Sequence, residues 1–142
     1  MACGRHSAHL ELFIPNGCKI GRIKDILELF DFAPDGEMRA EGGLKALVWD
    51  FMDGDVIPIN LHGKLQRLTW RWEGSAARLV TSMSDGCGWY ASEEWCIRDG
   101  AVVYHHAIEG YADGEEDEEV EEGSEEGFPS IIRSGDGDLC CF

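Results

Sequence analysis

The adjacent histidines His105 and His106 are the residues best suited to chemistry, since imidazole ligates metals and titrates near neutrality. With Cys87 and Cys96 one of them completes a Cys-x8-Cys-x8-His spacing. Structural zinc sites use cysteines two to four residues apart, and neighbouring residues on a strand point to opposite faces. That pair therefore reads as one buried, hydrogen-bonded imidazole and one exposed. Glu93 and Glu94, with Asp85, Asp99 or Glu109, could supply a carboxylate pair for acid–base work, but no motif holds them together. Ser75, Ser82, Ser84 and Ser92 lack a Gly-x-Ser-x-Gly elbow, and neither Gly42-Gly43 nor Gly86-Cys87-Gly88 forms a phosphate-binding fingerprint. Asp50, Asp53 and Asp55, like Asp136-Gly137-Asp138, lack the ligand register of a calcium loop. No catalytic residue, metal site or cofactor is assigned, and the chain is expected not to be an enzyme.

Charge is the unusual property. The 142 residues carry 12 Lys and Arg against 28 Asp and Glu, a formal net charge of −16. Residues 1–110 hold 16 acidic and 11 basic residues, whereas 111–142 hold 12 acidic residues and Arg133 alone. Such a surface repels nucleic acid and anionic membranes. No apolar run approaches the ~20 residues that span a bilayer. Dense like charge buries nothing, so 113–127 is expected to be extended and mobile, with the body ending near Tyr111. Phe128-Pro129-Ser130-Ile131-Ile132 is an apolar patch expected to dock back on the body. Met1 to His6 has no apolar central region, so the six cysteines are expected as free thiols in a cytoplasmic protein.

The elements follow from periodicity. Leu10, Leu12 and Ile14 alternate as a strand, and Ile20, Ile23, Leu27 and Phe30 recur as a helix near 18–31. Residues 37–63 are ambiguous: Leu44, Leu47, Val48 and Phe51 fit a helix, while Ala46 to Trp49 equally fits a strand, and Val56 to Ile59 looks extended. Gln66, Leu68, Trp70 and Trp72 alternate with Arg67, Thr69 and Arg71, predicting a strand with an aromatic face and a basic face. That basic strip is expected to pair with Glu93 or Glu94. Ser75 as cap and Ala76, Leu79, Val80 and Met83 predict a second helix. Trp89 to Arg98 and Ala101 to Tyr111 are strands joined by Asp99-Gly100, a strong hairpin signal. The expected fold is α+β: an antiparallel sheet of four or five strands with two helices on one face, a ferredoxin-like sandwich over 1–111. An acidic flexible tail over 112–142 follows it.

Leu12-Phe13-Ile14-Pro15-Asn16-Gly17, the tryptophan-rich stretch before the second helix and the closing hairpin to Gly110-Tyr111 resemble the YubB-like family of small phage and plasmid proteins. The resemblance covers the body only and implies a ferredoxin-like fold and mobile-element origin; the acidic run is not part of it. With the charge, it leads to an expected function. The chain would be an interaction protein, acting in the host cytoplasm, that occupies the basic surface of a nucleic-acid-binding defence complex, of anti-CRISPR or anti-restriction type, as a nucleic-acid mimic. The expected contact residues are Glu93, Glu94 and Asp99 on the body. In the run they are Asp113, Glu115, Glu116, Asp117, Glu118, Glu119, Glu121, Glu122, Glu125 and Glu126. The alternative is a small metal- or ligand-binding enzyme with a pocket around His105, His106, Cys87 and Trp89.

Overall fold

The structure, a computed structural model, describes residues 5–15, 34–52, 60–85, 87–111 and 118–132. Among these, seven strands form one antiparallel sheet. They are β1 (Arg5–Pro15), β2 (Gly36–Ala40), β3 (Leu44–Phe51), β4 (Ala76–Ser84), β5 (Trp89–Arg98), β6 (Ala101–Tyr111) and β7 (Glu118–Gly123). Their spatial order is β2-β3-β1-β4-β5-β6-β7. A 3-10 turn at Glu41–Gly43 links β2 to β3, and the α-helix among the described residues is α1 (Leu61–Arg71). No helix among them is long and apolar enough to cross a membrane.

Period-two burial explains β1. Ala8, Leu10, Leu12 and Ile14 point to the first face of the sheet, where Leu47, Trp49 and Phe51 of β3 and Ala77 and Leu79 of β4 stand beside them. Helix α1 closes that face with Leu61, Leu65 and Leu68, and Trp72 follows them from just past its end. These positions step by four, three and four, the stripe of a helix packed on one side.

The second face carries a smaller cluster. Phe13, Ala46, Ala76 and Cys96 are covered by Phe128, whose ring meets Phe13 edge-on at a centroid distance of 6.0 Å. Phe128 sits on a strap, 124–132, that leaves β7, crosses this face and reaches the opposite rim. There Ile131 bridges Ala40, the Glu41 amide donates to the Ser130 carbonyl (2.9 Å), and the Ile132 amide donates to the Arg39 carbonyl (2.9 Å). The apolar patch at 128–132 thus docks on the body.

Several expectations need correction. Among the described residues the sheet has seven strands rather than four or five, with one helix packed on it, and this is not the ferredoxin-like sandwich expected. The segment read as an aromatic–basic strand is α1, and the segment read as the second helix is β4. The latter is laddered along its whole length between β1 and β5. A central strand there satisfies every backbone group through both neighbours, which outweighs the accidental helical spacing of Ala76, Leu79, Val80 and Met83. Within the ambiguous segment Leu44–Phe51 is β3, the strand alternative for Ala46 to Trp49, whereas β2 at Gly36–Ala40 was not expected. The acidic run does not leave the fold at Tyr111, because Glu118–Gly123 pairs with β6 as its last strand. The helix predicted near 18–31 and the stretch Val56 to Ile59 lie outside the described residues.

Candidate partner-binding surface

The acidic rim is assembled by the β5–β6 hairpin. Asp99 (φ 53°) and Gly100 (φ 81°) both take left-handed backbone, the two-residue geometry that matches strand twist. The hairpin fixes β6, and β6 recruits β7 with Glu109 opposite Glu118, Ala107 opposite Val120 and Tyr104 opposite Gly123. All six residues of β7 are exposed. Gly123 ends it at φ 85°, where a Cβ would run into the Val103 carbonyl oxygen. Only glycine fits there.

The two faces of β7 differ. On the strap side, Glu119 accepts from His106 Nε2 (2.9 Å) and Glu121 accepts from the Tyr104 hydroxyl (2.8 Å). The Glu119 hydrogen bond raises the His106 pKa, and the Glu121 bond lifts the Tyr104 phenol to about 12. On the helix side, Glu118 and Glu122 have no ion-pair partner among the described residues. Glu118 stands directly across from another carboxylate, Glu109, which accepts from the Trp89 indole nitrogen (2.8 Å). Two shallow grooves open there. One is lined by Trp95, Val102, His105, Glu122 and Gly123, the other by Trp89, Glu109, Gly110, Tyr111 and Glu118.

The expected contact residues are only partly brought together. Glu93 lies on the helix side of β5 and pairs with His105 Nε2 (2.8 Å). Glu94 lies on the strap side and pairs with Arg78, a partner reached from β4 and not from Arg67 or Arg71. Glu125 also reaches Arg78, at 3.5 Å. Asp99 occupies the hairpin turn beside α1, away from the rim. Glu118, Glu119, Glu121 and Glu122 share β7, and Glu126 follows on the strap. Asp113, Glu115, Glu116 and Asp117 lie outside the described residues.

The alternative pocket is not assembled from its expected members. His105 stacks on Trp95 on the helix side (5.4 Å), and His62 of α1 stacks on the same indole (5.2 Å). His106 points to the strap side, Cys96 is buried beneath the strap, and Cys87 is exposed in the β4–β5 connection. Burial pushes the Cys96 thiol up to about 11. Glu94, Cys96 and Glu125 cluster closely enough to hold a metal ion, but the Arg78 guanidinium pairs with both of those carboxylates. A fixed cation there already supplies the charge a metal would bring.

Arg78 is the residue that periodicity missed. Its signal is a lone charge between Ala77 and Leu79, both buried, as expected of a strand that shows its alternate side to a polar neighbour. Comparison of the chain with family models, curated proteins and solved structures finds no match.

Proposed function

We propose that this chain acts by binding, as a nucleic-acid mimic that occupies the basic surface of a nucleic-acid-binding complex, of the kind used in host defence against mobile elements. The observation that carries this reading is β7, an edge strand with every residue exposed and glutamate at 118, 119, 121 and 122. A β-strand rises about 3.4 Å per residue, and successive phosphates on one strand of B-DNA are also spaced about 3.4 Å along the axis. A strand with glutamate at most positions therefore approaches the linear charge density of a nucleic-acid strand. Pairing to β6 holds these charges in place, so little ordering entropy is lost when they meet a complementary groove.

Steering by opposite charge raises association rates by about 10- to 1,000-fold and fades with salt. The test is displacement of a fluorescent DNA duplex from a restriction or CRISPR surveillance complex. The full chain is expected to compete at 50 mM NaCl and to lose at least tenfold in potency by about 300 mM. Replacing Glu118, Glu119, Glu121 and Glu122 with glutamine is expected to remove most of the competition. Displacement that ignores both salt and these four substitutions would refute the proposal.

A further inference from the structure

We propose that the outer edge of β7 accepts a basic extended segment of the partner as an added strand, with cationic side chains seated in the two grooves beside Glu118 and Glu122. The inference rests on the polyanion reading and specifies how that surface is engaged.

Three observations carry it. First, β7 pairs with β6 on one side only, and among the described residues no strand lies along its other side. Unpaired N–H and C=O groups of such an edge are a template for another strand. Second, the two faces are not equivalent. Glu119 and Glu121 are already engaged by His106 and Tyr104, whereas Glu118 and Glu122 lack a cation among the described residues. Glu118 even stands opposite Glu109, and like charges directly across a ladder destabilise it. A cation delivered there relieves a repulsion built into the sheet. Third, each of these carboxylates borders a groove with aromatic walls, Trp89 and Tyr111 in one, Trp95 and His105 in the other. The apolar stem of an arginine or lysine can lie against such walls while its charge meets the carboxylate.

Spacing defines the ligand. Glu118 and Glu122 are about 13 Å apart along the strand, and Val120 lies midway between them on the same face. An added strand presents alternate side chains to that face. The matching segment therefore has a basic residue at i, an apolar residue at i+2 and a second basic residue at i+4. Helical partners with the same two cations do not share that register.

The test uses the full-length protein and fluorescein-labelled nonapeptides at low salt. One peptide carries arginine at positions 3 and 7 with valine at 5. Its control has the same composition with arginine at 3 and 6. A third peptide is in register but N-methylated at the ladder-facing amides. The in-register peptide is expected to bind at least tenfold tighter than the other two. Glu118→Gln with Glu122→Gln is expected to weaken it about tenfold. Glu37→Gln with Glu73→Gln removes equal charge from exposed positions away from β7 and is expected to cost less than threefold. Circular dichroism confirms that both variants remain folded. Equal binding of all three peptides, or equal loss from the two double variants, overturns strand addition and leaves a diffuse polyanion. Failure of every peptide to bind, together with failure to displace duplex, overturns the polyanion reading as well.

Discussion

His9 couples the sheet to pH. Its Nε2 meets Glu11 at 2.9 Å and its Nδ1 meets Asp50 at 2.6 Å. The hydrogen bond to Glu11, opposed by burial and reinforced by Asp50, raises its pKa from 6.5 to about 9. A group whose pKa rises on folding binds its proton more tightly in the folded state. The stabilisation is thus complete below about pH 6.5 and is lost as pH climbs through about 9. Urea midpoints are expected to fall across that window, and His9→Gln is expected to flatten the fall. The raised pKa of His106 acts in the same direction on β7. Arg78 is a different case. It lies half-buried against Glu11, Glu94 and Glu125, with its guanidinium 5.3 Å from the Phe128 ring centre. Arg78→Met is expected to cost about 2 kcal/mol in denaturant unfolding, because three carboxylates then lose their shared cation. Among the described cysteines, thiol reagents are expected to modify exposed Cys87 rapidly and to reach Cys96 only upon unfolding.

The strands and helix show what the sequence could and could not announce. β1 was legible because Leu10, Leu12 and Ile14 alternate with polar His9 and Glu11. The β5–β6 hairpin was legible because Asp99-Gly100 is itself the turn. The helix was missed because its stripe starts at Leu61, inside a segment of mixed pattern, while Trp70 and Trp72 mimic an alternation that they do not share. Trp72 is buried just past the helix, and Trp70 is exposed beside the Gly100 turn. β7 could not be read locally at all. Its pairing depends on His106 and Tyr104 of a neighbouring strand, which offset a run of charge that alone would stay solvated. Two substitutions test these elements. Leu65→Ala, at a fully buried position of α1, is expected to cost about 3 kcal/mol. Gly123→Ala is expected to detach β7, seen as faster amide exchange over 118–123 with β1 and β4 still protected.

At the scale of the molecule, a net charge of −16 opposes compaction, and screening relieves it. The melting temperature is expected to rise between 10 and about 300 mM NaCl, the same range in which competition with duplex is expected to fade. A protein whose stability and binding both weakened with salt would not be behaving as a folded polyanion. The strap adds a geometric consequence. Because 124–132 crosses the sheet from β7 to β2, Ile132 lies beside Arg39 at the rim opposite the glutamates. A biotin or immobilisation handle placed at exposed Ile132 would anchor the protein from that side, leaving the glutamate rim pointing into solution.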